Sequence, residues 1–466
     1  MAIIISTATD PVSIPNQVVA TSNLIYNRHY IYRISFIAAL GGLLFGFDIA
    51  IISGTISFFN KYFRLDEFHT GWAVGCINIG AAMGALLAGK LSDTLGRKKL
   101  LLLCAFLFAV TGVGTGWAGT FPLFIGFRIL SGVAIGVAAL VCPMYIAEIS
   151  PASLRGRLVA FYQLAITAGI LLAYLSNYFL LDTGENNWRW MFSSPSIPSL
   201  LFFFCLFLVP ESPRWLIRKE RESDAMQILE QIGGSDYAQA EDNAIRQSFS
   251  HEIKENVHDL FRKDIFYIVI IGIMVAIFSQ AGGQNSLFSY APEIFKQAGM
   301  AEGSAFMQSV ILGLTTFTST FIAIFTVDKI GRRKLLLCGS LLLCLDALAL
   351  AAAFYLQLPG YWVLAFVLGF IAIYCATLGP VTWVVLSEIF PNRIRGNALA
   401  LATLSLWIAN FFTTASFPVM KLNFGLPVTF GIHAGICLIY FLFIWARVPE
   451  TKGRSLEEIE ILLMKQ

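Results

Sequence analysis

The stretch "SDTLGRKK" at residues 92–99 returns as "VDKIGRRK" at residues 327–334. Two further pairs follow in the same order: "AEISPASLRGR" from Ala147 with "SEIFPNRIRGN" from Ser387, and "VPESPRW" from Val209 with "VPETKGR" from Val448. Counted from Asp93, Glu148 and Pro210 to Asp328, Glu388 and Pro449, the copies stand 235, 240 and 239 residues apart. A nearly fixed period is the signature of a duplicated structural unit. In each unit the three motifs are polar islands in apolar sequence, so the nature of the apolar segments decides the fold.

Of the 466 residues, 57% are hydrophobic and 13% charged, more apolar surface than one soluble core can hide. Apolar runs of about 20 residues, the length that crosses ~30 Å of hydrocarbon, predict twelve spans. They lie near 34–58, 70–91, 99–118, 121–146, 157–180, 190–209, 265–290, 305–327, 335–356, 360–386, 397–420 and 425–447. The predicted division is an amino-terminal segment 1–33, a six-helix half 34–209, a linker 210–264, a second half 265–447 and a tail 448–466. Within the linker, "KERESDAMQILEQI" has the pattern of an amphipathic surface helix. The fold class expected is therefore all-α membrane protein, with twelve transmembrane helices in two pseudo-symmetric halves. Parallel repeats of this kind place a cavity between them near the bilayer midplane, which is a transporter architecture.

Charge sets the orientation. Of the 32 Lys and Arg, 26 fall in the termini and even-numbered connections, five in the odd ones, and one, Arg128, within a span. The positive-inside rule then puts both termini and all six motifs in the cytoplasm. The net charge of +3 is small and segregated, which argues against a nucleic-acid partner. Eight cysteines fall singly in apolar segments without C-x-x-C spacing, which argues against disulfides and structural zinc. The first residues lack the basic start and cleavage site of a signal peptide, so the first span is expected to direct insertion. No N-x-[ST] acceptor occurs, in keeping with a bacterial inner membrane.

The six motifs together resemble those of the major facilitator superfamily, and "PESPRW" with "PETKGRS" resembles its sugar porter family, over nearly the whole chain from Gly41 to Glu458. The resemblance extends to bacterial proton-coupled monosaccharide symporters. Two readings fit the charged motifs. Basic residues hold the loops inside and glycine makes the turn; or, as the resemblance implies, the motifs also form a latch that biases two access states. In the second, Arg97 and Arg332 pair with Glu148 and Glu388, with Asp93, Asp328, Arg155, Arg395, Glu211 and Glu450 as further members.

Within "GGLLFGFDIAIISG", residues 41–54, Asp48 is a carboxylate near the middle of a lipid span, a costly placement that marks a functional group. It lies 14 residues, about 21 Å, along span 1 from Ile34, and Arg128 lies seven residues, about 10 Å, into span 4 from Phe121, which starts at the opposite surface. In a ~30 Å slab the two depths coincide. As structure, the pair anchors span 1 to span 4. As a switch, any motion that changes their separation changes the carboxyl's affinity for a proton. The resemblance favours the switch, since an aspartate there marks proton symporters in the family. Asp346 in "LLLCLDALAL" is a second acid in a span with no such role, and His433 has the setting of an interface histidine.

Sugar recognition needs amides, which donate and accept at once, and aromatic faces for the C–H side of the ring. Matching sugar porter positions are Phe45, Gln163, Gln280, Asn285, Gly379, Trp383, Trp407 and Asn410, with Gln284 an added amide. In "FSQAGGQNSLFSYAP" Gly282, Gly283 and Pro292 predict a discontinuous span 7 that lines and gates the site. "LGPVTW" predicts a break in span 10. The family pattern Q-Q-x-x-G-x-N-x-x-x-Y-Y is altered, with Ser279 for the first glutamine and Ser289 for the first tyrosine; Ile170 and Leu406 replace two further amides. A pentose, deoxy sugar, polyol or less hydroxylated solute fits as well as glucose. The function expected is proton-coupled symport of a monosaccharide or related polyol, by a monomer needing no cofactor or metal. A passive facilitator would use the same cavity with Asp48 as an anchor. A non-transporting nutrient receptor fits less well, because the residues after Arg447 hold no obvious signalling domain. An enzyme fits least: there is no nucleotide fingerprint, metal-ligand spacing or nucleophile constellation.

Overall fold

The computed structural model describes residues 26–250, Leu260, 263–391 and 394–452, with side-chain surroundings for all but Ser250, Lys263, Asp264, Ile324, Val327 and Asp328. Residues 1–25 of the amino-terminal segment, 251–259 of the linker and 453–466 of the tail lie outside the described residues. Lipid offers no partner for backbone N–H and C=O groups, so each apolar run closes its hydrogen bonds internally as a helix. Among the described residues eleven helical segments are long and apolar enough to cross a membrane. The last, Arg395–Arg447, has 53 residues, about 80 Å at 1.5 Å per residue. Gly425, at φ 75°, breaks it into two spans and brings the total to twelve.

Spans 1 to 5 are Arg28–Ile51, Glu67–Leu95, Arg97–Gly116, Phe121–Ile149 and Ala152–Leu180. Span 6 is assembled from Asn187–Ser193 and Ser196–Cys205. Span 7 is interrupted, Lys263–Ala281 then Gln284–Gln297, with Gly283 at φ 99° between. Spans 8 and 9 are Glu302–Ile330 and Arg332–Tyr355. Span 10 breaks at Thr377, between Gly360–Ala376 and Leu378–Ile389. Several helices overrun the predicted spans, because polar residues at their ends extend the helix past the hydrocarbon without interrupting its hydrogen bonds.

Inside the first half, small residues set the spacing. Cβ atoms on Gly80 and Gly84 would strike carbonyls of Ile129 and Val133, and Cβ atoms on Gly132 and Gly136 would strike carbonyls of Ile77 and Ala81. Spans 2 and 4 therefore cross at backbone contact, the closeness that association in lipid exploits. Between the halves, span 2 packs on span 11, span 5 on span 8, and span 1 on the second part of span 7.

The two copies of the opening motif fold alike. Gly96 at φ 92° and Gly331 at φ 103° turn the chain between spans 2 and 3 and between spans 8 and 9. Each turn exposes the first N–H groups of the next helix, and a carboxylate from the third motif accepts them. Glu211 accepts from the backbone N–H of Arg97 at 2.9 Å and of Lys98 at 3.1 Å; Glu450 accepts from that of Arg332 at 2.9 Å. The linker, with helices Pro213–Arg218 and Glu222–Ser250, the latter kinked at Gly234, docks beneath the first half. Trp215 donates to the Asp93 carbonyl at 3.0 Å, and the Asn27 N–H to that of Ile232 at 2.9 Å. The face that carries these turns and the linker is the basic face.

A Cβ at Gly331 would stand 2.7 Å from a Glu450 oxygen on a backbone at φ 103°. Gly331→Ala should therefore lower the thermal midpoint of the detergent-solubilised protein, the strain of a backbone conformation that essentially only glycine adopts amounting to about 1–3 kcal/mol. An unchanged midpoint would contradict this account of the turn.

Candidate functional site: a cavity between the two halves

Span 1 reaches its position by pressing Gly46 against the Ile166 carbonyl of span 5, while Gly169 of span 5 presses against that of Leu43. This brings Asp48 to span 4. The Arg128 Nη1 donates to Asp48 Oδ1 at 3.1 Å, and Ser131, one helical turn beyond Arg128, donates to Asp48 Oδ2. Arg128 is 1% exposed and Asp48 8%. Breaking such a pair by removing one member strands a buried charge, roughly 3–5 kcal/mol. The Phe192 ring covers the guanidinium at 5.8 Å, and Nε and Nη2 have no hydrogen-bond partner.

Arg128 also lines a small cavity between the halves, with room for about one water. The first half lines it with Ile49, Ile52, Val74, Ile77, Asn78 and Arg128; the second with Asn285, Ser289, Asn410 and Thr414. Beside it the break in span 7 gathers three amides. Gln280 Oε1 accepts from Asn285 Nδ2 at 2.6 Å and Gln284 Nε2 at 3.2 Å, and Gln284 Nε2 also reaches the Ser279 carbonyl at 2.8 Å. Tyr374 of span 10 lies close to Gln280 and Gln284. Phe45 meets Trp407 across the halves at 5.9 Å between ring centroids, and Trp407 Nε1 is buried without an acceptor. Asn410 donates to Asn78 Oδ1 at 2.9 Å and leaves its own Oδ1 unpaired.

The remaining sequence candidates lie outside this lining. Gln163 is half-buried, Trp383 is 40% exposed, and Gly379 lies against the Tyr374 ring. At the altered family positions, Ser279 turns its hydroxyl back to the Ala276 carbonyl, Ser289 lines the cavity, and Ile170 and Leu406 are buried. Asp346 has one oxygen without a partner and the other over Gly369 of span 10. His433 packs on Gly283 and lies 3.3 Å from the Ala281 carbonyl, supporting the break in span 7.

The motif residues form two clusters, each within one half. Arg97 makes a bidentate pair with Glu148 at 2.9 and 3.0 Å and touches Asp93 at 3.4 Å; Arg332 donates to Glu388 at 3.1 Å. Four of the residues expected in the latch behave differently. Glu211 and Glu450 receive backbone N–H groups, because the glycine turns leave helix ends that need acceptors. Arg155 and Arg395 donate to the carbonyls of Ala147 and Phe390, which end their neighbouring helices. The side chain of Asp328 lies outside the described residues.

Four site residues escaped the sequence reading: Asn78, Ser131, Tyr374 and Thr414. Ser131 follows Arg128 by three positions and so shares its face, and Asn78 is an amide inside a lipid span; both signals were legible. Tyr374 and Thr414 had none.

The bonds described between the halves gather toward the face opposite the basic one. Tyr174 donates to the Phe288 carbonyl at 2.8 Å, Ser57 binds Glu293, Lys296 reaches Ser57 at 3.1 Å, and Lys421 lies 3.8 Å from Glu67. There Gly71 of span 2 is pressed against the Ala415 carbonyl of span 11.

Two six-helix halves around a small cavity, lined by the arginine of a buried charge pair, define a membrane transporter of alternating-access type. The model of the sugar (and other) transporter family matches residues 34–463, and the chain belongs to that family. It is an integral membrane protein. The D-xylose-proton symporter of Escherichia coli (strain K12) is 40% identical, covering 94% of this chain and 97% of that protein. The arabinose-proton symporter of Bacillus subtilis (strain 168) is 37% identical, covering 94% and 96%. Among solved structures, the xylose transporter XylE from E. coli in a partially occluded inward open conformation aligns with TM-score 0.84 at 38% identity, over 92% of this chain and 100% of that one. XylE bound to 6-bromo-6-deoxy-D-glucose aligns with TM-score 0.79 at 39% identity, over 94% and 100%.

Because spans 2 and 11 touch through Gly71, Gly71→Trp should wedge the face opposite the basic one open. A cysteine placed at Ser289 in the cavity should then react several-fold faster with an impermeant thiol reagent added to that face. An unchanged rate would show that this contact does not close the cavity.

Proposed function

We propose that this chain imports a monosaccharide together with a proton by alternating access, as a monomer in a bacterial inner membrane with the basic face in the cytoplasm. The observation that carries the proposal is the buried Asp48–Arg128 pair, whose arginine lines the inter-half cavity. The proton-symporter names of relatives that are 40% and 37% identical support it. In this orientation the bonds of Ser57, Glu67 and Tyr174 hold the halves together on the outside.

When the halves rock, spans 1 and 4 shift relative to one another and to the cavity. Separating the pair would leave a lone carboxylate in a poorly solvated site, and taking up a proton is the least costly relief. Arg128 re-approaching Asp48 would release that proton on the other side. Ser131 holds the carboxylate during pairing. Gln280, Gln284, Asn285 and Asn410 would bind hydroxyls, and Phe45 and Trp407 the C–H face of the ring. Gln163 and Trp383 would join them in a state that brings them to the cavity. Each motif cluster keeps its own half rigid and weights the inward and outward states. The two symporters named above carry the pentoses xylose and arabinose in their names; together with Ser279, Ile170 and Leu406 in place of amides, this supports a pentose or similarly small polyol. Family membership makes the chain a transporter and not an enzyme.

Proteoliposomes given labelled pentoses, hexoses and polyols test this. Wild type should accumulate one solute when an inward proton gradient is imposed. Asn in place of Asp48 should reduce uptake to equilibration while leaving exchange intact. Equal, gradient-insensitive uptake by both proteins would leave a passive facilitator instead.

A further inference from the structure

Span 2 contributes to the cavity a single amide, Asn78, set among Val74 and Ile77 and 4% exposed. Its Nδ2 donates to the Gly75 carbonyl at 3.1 Å and to Thr414 Oγ1 at 3.3 Å, and its Oδ1 accepts from Asn410 Nδ2 at 2.9 Å. Two of these three bonds cross from one half to the other. Two of the residues lining the cavity carry buried polar atoms with no hydrogen-bond partner: Asn410 Oδ1 from the second half, and Arg128 Nε and Nη2 from the first. Buried donors and acceptors without partners on both walls of one cavity mark a place where a hydroxylated molecule completes the bonding.

We propose that Asn78 is a solute-recognition residue, and that its bond to Asn410 takes the place of a solute hydroxyl when the cavity closes on the face opposite the basic one. This rests on the transport reading above. Spans 2 and 11 touch at that face through Gly71, and Gly75 comes within contact of Ala415 and Phe411. Opening the face draws the two spans apart, and Asn78 is carried away from Asn410. Each amide is then left with a donor and an acceptor pointing into the widened cavity. A hydroxyl both donates and accepts, so one hydroxyl can bridge the two amides. When the face closes, the amides satisfy one another and the bonds the solute loses are replaced within the protein. Release toward the basic face then leaves no amide stranded at the closed end. The same placement accounts for how recognition survives with Ser279, Ile170 and Leu406: an amide on the first half stands opposite those of the second.

The test compares wild type with Asn78→Leu, similar in size but apolar, in proteoliposomes. Labelled D-xylose, L-arabinose and their monodeoxy analogues serve as probes. The KM of the transported pentose should rise about three- to tenfold, the range expected for one lost hydrogen bond. The analogue lacking the bridged hydroxyl should show the same KM in both proteins, and the maximal rate should change little. Asn78→Ser, which keeps a hydroxyl, should recover part of the affinity and covers the case in which the leucine variant fails to fold. An unchanged KM with a lowered maximal rate would overturn the inference and leave Asn78 as a bond between the halves. So would equal weakening of every analogue. Absence of any pentose uptake by wild type would instead overturn the transport reading on which the inference rests.

Discussion

A carboxylate and a guanidinium facing one another at 3.1 Å, both inside a lipid-spanning bundle, are the constraint around which the first half is built. Neither charge is tolerable alone in that setting, and the pair is held where span 1 meets span 5, and span 4 meets span 2, at backbone contact. The glycines at those crossings, Gly46 and Gly169 between spans 1 and 5, Gly80 and Gly132 between spans 2 and 4, make the approach possible. Packing and electrostatics are thus one design. The same closeness that anchors the pair fixes the wall of the cavity, and a shift of span 1 or span 4 changes both together.

Duplication supplies the rest. Each half carries a glycine turn whose exposed helix end is closed by a glutamate from a motif more than a hundred residues further on, Glu211 for Arg97 and Glu450 for Arg332. Each half also carries an arginine paired with a glutamate at the end of a neighbouring span, Arg97 with Glu148 and Arg332 with Glu388. These bonds stay within a half. In the proposed mechanism they hold each half together while the contacts between the halves, such as Asn78 to Asn410 and Gly71 to the Ala415 carbonyl, are the ones that change.

Much of this was legible from residue types and spacing. Apolar length defined the twelve spans, the repeat defined the halves, and depth along spans 1 and 4 brought Asp48 and Arg128 together. Gly282 and Gly283 announced the break in span 7, which falls at Gly283. What stayed hidden depended on three-dimensional neighbours. The family resemblance implies Glu211 and Glu450 as members of a latch, whereas the glycine turns create backbone donors that they accept. Asn78 went unread because no resemblance pointed to span 2, although an amide in lipid is itself a signal. Tyr374 enters only through the break at Thr377, which lets span 10 bend toward the amides of span 7.

The central claim is that a proton moves with the solute through the Asp48–Arg128 site. Its most direct measurement is charge displacement by proteoliposomes on a solid-supported membrane, with pentose added and no imposed ion gradient. Co-transport of a neutral sugar with a proton predicts a transient inward positive current that rises with sugar concentration and disappears when Asp48 is replaced by Asn. Sugar uptake with no current, in wild type as in the variant, would contradict the account.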